Sequence, residues 1–103
     1  MIVRMWRGRA AKHRPEDYKR HFERLVLPEL HALPGFLGAM LLRREVAEGF
    51  EFLVISQWES LNAVKVFAGD NHERAVVDPG AVATLETFDK TVSHYEVLSR
   101  TMA

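Results

Sequence analysis

The chain opens on an alternation. Ile2, Val3, Met5 and Trp6 are interleaved with Arg4, Arg7 and Arg9, which predicts a strand over 2–9. "AAKHRP" is the turn that follows, and Pro15 suits the first position of a helix, where a missing N–H costs nothing. Glu16 and Asp17 then fall where the helix dipole favours negative charge. Tyr18, Phe22, Leu25 and Leu30 recur at helical spacing and predict one apolar stripe. Pro28 must kink or restart that helix, and "LPGF" at 33–36 ends it. Residues 36–44 read as a second strand, "EVAEG" as a hairpin turn and 50–58 as a third strand. Ser60 is expected to cap a helix over 61–68 that Gly69 stops. Asp70 or Asn71 is expected to cap a second short helix near 72–77. Pro79-Gly80 reads as a turn, 82–88 as ambiguous and at most a helical turn, and "TVSHYEVL" (91–98) as the last strand.

The order β-α-β-β-α-β predicts an α+β, ferredoxin-like fold: a four-stranded antiparallel sheet with its helices on one face, built from residues 1–103 as one domain. One property of the middle strands goes further. In the second strand Phe36, Met40 and Leu42 share one face, and Leu37, Ala39 and Leu41 the other. In the third, Phe50, Phe52 and Val54 oppose Leu53 and Ile55. A half-solvated antiparallel sheet would alternate between apolar and polar. Two helices cover one face only, so the other calls for a second sheet. Stacking of two copies, sheet on sheet, as a homodimer supplies it.

Composition narrows the classes. The 103 residues contain no apolar run near the roughly 18 residues that span a bilayer, and arginines interrupt the short apolar N-terminus. A soluble cytoplasmic protein without membrane partners is expected. The absence of cysteine excludes thiolate metal sites and nucleophiles. Net charge is zero but polarised: residues 1–24 hold eight Lys/Arg against three acids, and the remainder has the opposite excess. Glu16, Asp17 and Glu23 lie among these cations on one predicted helix, which reads as a salt-bridged surface, and no nucleic-acid motif accompanies it.

The candidate chemistry is dispersed. Arg4 alternates with Ile2 and Trp6, placing a cation beside an indole on one sheet face; if buried, it needs an acid or an anionic ligand. His94 shares a strand face with Val92, Glu96 and Leu98, as hydrogen-bonded core or as a site residue. His72 follows Asp70-Asn71 and is a candidate general base, and Arg74 a candidate oxyanion partner; both also read as surface residues near a cap. Trp6, Phe22, Trp58 and Phe67 are candidate walls of a substrate cavity or simply core. The histidines at 13, 21, 31, 72 and 94 show no metal-ligand spacing, and there is no GxSxG, phosphate-binding glycine loop or HExxH.

"LPGFLGAMLLR", "VISQWES", "VFAGDNHERAV" and the terminal "HYEVL" together resemble the antibiotic biosynthesis monooxygenase superfamily, the dimeric α/β barrels, over nearly the whole chain. The resemblance implies a homodimer whose two sheets close into a barrel. It implies a monooxygenase that adds O₂ to a small aromatic or quinol-like substrate without metal or flavin; other members degrade haem, and many have no known activity. In the haem branch an asparagine on the first strand, a tryptophan in the second helix and a histidine beyond it carry the function. Those positions fall here at Trp6 or Arg7, at Phe67 and at Val77, so all three are replaced.

Three readings follow: a cofactor-independent monooxygenase, with His72, Arg74 and His94 as catalytic candidates and Arg4, Trp6, Phe22, Trp58 and Phe67 as substrate-binding ones; a non-enzymatic dimer binding a small apolar ligand, for instance in a stress response; and a haem-binding member with altered ligands. On the first, the break at Gly69-Asp70-Asn71 sets His72 and Arg74, on a helix N-terminus, at the mouth of a cavity walled by Phe67 and Trp58. The competing account makes the break a joint between two helices.

Overall fold

Backbone pairing fixes the architecture. The computed structural model describes residues 1–103. Its strands are β1 (Ile2–Ala11), β2 (Phe36–Val46), β3 (Gly49–Trp58), β4 (Thr87–Phe88) and β5 (Ser93–Glu96). The helices are α1 (Asp17–His21), α2 (Leu27–His31), α3 (Leu61–Ala68) and α4 (Pro79–Thr84), and a π-helical turn, Phe22–Val26, joins α1 to α2. All pairings are antiparallel, in the order β2-β3-β1, with β4 and β5 sharing the outer edge of β1. The expected α+β, ferredoxin-like layout is present. The expected last strand, 91–98, is present as β5, paired with residues 2–5, and a further two-residue strand, β4, forms within the ambiguous 82–88 and pairs with Gly8 and Arg9. No helix is long and apolar enough to cross a membrane.

Pro28 is accommodated without a break. A proline inside a helix leaves one carbonyl without its donor and crowds the preceding turn. Here the turn ahead of it is widened, and the Leu27 N–H donates to the carbonyl of Phe22, five residues back. The extra residue in that turn moves the inward position by one. Tyr18, Phe22 and Leu30 are buried as expected, but Leu25 is 47% exposed, and Val26 packs inward in its place.

A second shift occurs in β2. Phe36 pairs with Trp58 and Gly38 with Gln57, so a bulge absorbs Leu37. Phe36 therefore joins Ala39 and Leu41 against the core instead of sharing a face with Met40 and Leu42. Leu37, Met40 and Leu42 are exposed on the opposite side. The helices cover the face formed by Arg4, Trp6, Gly8 and Ala10 of β1 and by Phe50, Phe52, Val54, Ser56 and Trp58 of β3.

The Ser60 cap is as read: its hydroxyl accepts from the Ala63 N–H at 3.2 Å, and Gly69, at φ +82°, ends α3. The helix expected near 72–77 is absent. Residues 72–73 turn, and Arg74 forms an isolated bridge with Thr91. A sheet edge thus supplies the backbone partners that a helix would have supplied itself. Pro79-Gly80, read as a turn, instead begins α4, where Asp78 caps the Ala81 N–H at 2.8 Å.

Candidate active site

A cavity of about 120 Å³ lies between the sheet and the α1–α2 helix, closed on one side by residues 76–78. Ten of its 14 lining residues are hydrophobic, so its few polar groups stand in apolar surroundings. Exposed Glu29 and Val76 mark its mouth.

Arg4 forms one end of it. Strand alternation turns its side chain toward the helices, and it is only 5% exposed. Its Nη1 donates to the His72 carbonyl at 2.6 Å and lies 3.0 Å from His94 Nε2; its Nη2 donates to the Arg74 carbonyl at 2.9 Å. The guanidinium also sits 5.4 Å from the centre of the Phe67 ring. No carboxylate is paired with it, unlike Arg7, Arg9, Arg14, Arg20, Arg43 and Arg44. Burial brings its pKa down to about 10, so it remains a cation at neutral pH. Three of its five N–H groups are committed, which leaves the Nε–H and one Nη2–H for a ligand.

His94 is turned toward Arg4 by cross-strand pairing of those two residues. Burial, then the adjacent Arg4 charge, lowers its pKa below the ordinary 6.5. A neutral imidazole can accept from the guanidinium, and a protonated one cannot. His72 stacks obliquely on His94, with ring centres 5.2 Å apart.

The aromatic candidates divide into two groups. Trp6 and Phe67 line the cavity. Trp6 is fixed by its Nε1–H donating to the Asp89 carbonyl at 2.7 Å. Trp58 is fully buried behind Phe67, stacked on it at 5.3 Å, and donates to Ser56 Oγ at 2.9 Å. Phe22 is core, packed with Tyr18 and Phe52. The side chains of His72, Arg74 and His94 do not line the cavity; the first two reach Arg4 through backbone carbonyls and the third through its ring. Because no helix starts at 72, no free helical N–H groups stand there.

Sequence reasoning missed Tyr18, Ser56 and Asp78, which line the cavity. Asp78 Oδ1 lies 2.9 Å from His21 Nε2. Burial pushes the Asp78 carboxyl up, but its hydrogen bonds from Ala81 and His21 hold it below the ordinary 3.8. Burial, reinforced by Asp78, holds the Tyr18 phenol well above its ordinary value, so it stays protonated. Ser56 had one available signal: it is a polar residue on an otherwise apolar inward face, opposite Arg4 in the ladder.

Of the residues at the haem-branch positions that the resemblance implies, Trp6, Phe67 and Val77 line the cavity, and the alternative first-strand residue, Arg7, does not. None is a histidine, and no group of three or more His, Asp or Glu side chains is arranged to hold a metal ion.

Comparison with known proteins agrees with this architecture. SnoaB, a cofactor-independent oxygenase from Streptomyces nogalater, superposes with a TM-score of 0.68 at 16% identity, covering 96% of this chain and 94% of that one. The ActVA-Orf6 monooxygenase from Streptomyces coelicolor, solved with nanaomycin D, gives 0.64 at 16% identity, over 99% and 91%. The haem degrader MhuD from Mycobacterium tuberculosis gives 0.63 at 24% identity, over 99% and 100%. At such identities the likeness is one of fold. No curated protein matches the chain in sequence. The profile of the family described as antibiotic biosynthesis monooxygenase matches residues 1–79, most of the chain and all of the sheet's long strands, and the protein belongs to that family.

Proposed function

We propose that the protein is a monooxygenase of a small aromatic, quinol-like substrate that works without metal or flavin. The observation that carries this reading is Arg4, a buried cation without a carboxylate, at one end of an apolar cavity. A buried charge calls for a counter-charge. A deprotonated quinol or phenol supplies one, and the same cation stabilises that anion against its neutral form. The substrate itself is the reductant: quinol and O₂ give hydroxyquinone and water, one oxygen entering the ring and the other leaving with two hydrogens. Arg4 binds and stabilises the anion. His94 and the His72 and Arg74 carbonyls hold Arg4 in place. Trp6, Phe67 and Val54 exclude water.

The cavity sets the size of the substrate. A cavity of about 150 Å³ holds one benzene, and this one has about 120 Å³. That volume is of the order of a single ring, with further room only through the mouth at Glu29 and Val76. Haem finds no histidine at Val77.

The active form is a homodimer. Met5, Ile55 and Met40 form one cross-strand row on the sheet face away from the helices. Leu37, Leu42 and Tyr95 are further exposed apolar side chains. Stacking two such faces removes this surface from water, at roughly 25 cal/mol per Å².

Oxygen uptake tests the reading. Methylhydroquinone is expected to be consumed with one O₂ per molecule, and anthrone is not. Binding of the quinol without O₂ consumption would move the protein to the alternative, a non-enzymatic small-ligand barrel, and a Soret band on titration with haem would favour the third reading.

A further inference from the structure

Tyr18 is only 3% exposed, and its hydroxyl has no hydrogen-bond partner in the chain. No buried side-chain nitrogen or oxygen lacks a partner, however, so this hydroxyl must reach open space. The open space beside Tyr18 is the cavity.

Strand register separates Tyr18 from Arg4. Along β1 and β3 the inward pairs run Arg4 with Ser56, Trp6 with Val54, and Gly8 with Phe52. Arg4 and Ser56 form one end of the cavity. The Tyr18 ring lies on Phe52, 5.2 Å between centres, and 6.0 Å from Trp6. It therefore belongs to the other end of the cavity, beyond the Trp6–Val54 pair. Trp6 and Val54 are the dry middle.

We infer that Tyr18 is a second polar anchor of the site, and that the ligand is a one-ring anion carrying a hydrogen-bond acceptor, a carbonyl or hydroxyl oxygen, across the ring from its acidic oxygen. This rests on the proposed site at Arg4 but not on the oxygenase chemistry. The two ends ask for different groups. Arg4 demands negative charge. Tyr18, kept protonated by burial, donates to an acceptor and provides no charge. The nearby Asp78 carboxylate disfavours a second anion at that end.

The test is binding, read without turnover. The probes are 4-nitrophenolate, whose nitro oxygens lie opposite its phenolate, and pentafluorophenolate, an anionic ring with no such acceptor. Calorimetric titration of the full chain is expected to show at least tenfold tighter binding of 4-nitrophenolate. Tyr18→Phe is expected to weaken 4-nitrophenolate about tenfold and to leave pentafluorophenolate within twofold. The variant removes a hydroxyl that holds no bond in the chain, so its melting temperature should not fall. Equal losses for both probes, no loss for either, or no preference in the unaltered protein would each overturn the inference. The last measurement needs no variant. Selective loss alongside absent oxygen uptake from methylhydroquinone supports the anchor and removes the oxygenase reading.

Discussion

Arg4 Nη1 stands 3.0 Å from His94 Nε2, and that contact requires a neutral imidazole whose proton is on Nδ1. Burial, then Arg4, then His72 lowers the His94 pKa in the folded chain below the unfolded value near 6.5. The unfolded chain therefore binds a proton first on acidification. This group contributes stability above about pH 6.5 that is lost as pH falls toward its folded pKa. Asp17, Glu51 and Asp78 are held below their ordinary values and act only at lower pH. The urea midpoint is expected to fall between pH 7 and pH 5, and His94→Gln to flatten that slope. An unchanged slope in the variant would locate the titration elsewhere.

Replacing Arg4 separates charge from shape. Arg4→Lys keeps the charge but cannot serve two carbonyls and a ligand from one fork. Its affinity for 4-nitrophenolate should drop tenfold or more, with the helical circular dichroism retained. Affinity equal to that of the unaltered protein would show that the anion binds away from Arg4.

Asp78 joins α4 to α1 by capping Ala81 and bonding His21. Asp78→Ala removes both interactions and is expected to cost about 2–4 kcal/mol in urea unfolding. Asp78→Asn keeps an acceptor oxygen and should cost less than about 1 kcal/mol.

Gly35 and Gly69 both have positive φ, +79° and +82°. A Cβ at Gly69 would meet nothing, whereas one at Gly35 would come within 2.5 Å of Ala63 Cβ. Gly69→Ala carries backbone strain alone, about 1–3 kcal/mol. Gly35→Ala adds overpacking, about 1–3 kcal/mol more. Thermal unfolding of the two variants should rank them in that order.

Ile55 is flanked by Met5 and Met40 across the ladder, at the middle of the face proposed to be shared between two copies. Sedimentation is expected to give twice the chain mass for the unaltered protein and the single mass for Ile55→Lys. A monomer in both would end the sheet-stacking argument.

The long strands, the Ser60 cap and the Gly69 stop were legible because local pattern and local chemistry dictate them. Leu25 was misassigned because one extra residue in a π turn moves the inward phase, and Leu37 because a bulge does the same in a strand. Neither insertion leaves a mark in apolar periodicity. The segment 72–77 carries an Asp-Asn cap signal, yet Ala75 and Arg74 find their partners on Lys90 and Thr91, 15 and 17 residues on, where no local rule reaches. Arg4 was recognisable as misplaced from alternation alone. Tyr18 was visible only as core, because its hydroxyl acquires meaning from a cavity built by six separate segments.

The segment that closes the cavity is fastened to the sheet edge at few points: the Ala75 N–H donates to Lys90 at 2.9 Å, and the Val92 N–H to Glu73 at 2.8 Å. Two of the three acceptors on Arg4 belong to this same segment. Loss of these two carbonyls would strip the buried cation of most of its solvation. A neutral molecule of the right shape offers no replacement for the lost carbonyls, whereas an anion does. The segment is thus tied to a guanidinium as well as to the sheet edge, and negative charge on a bound molecule is what could stand in for its carbonyls.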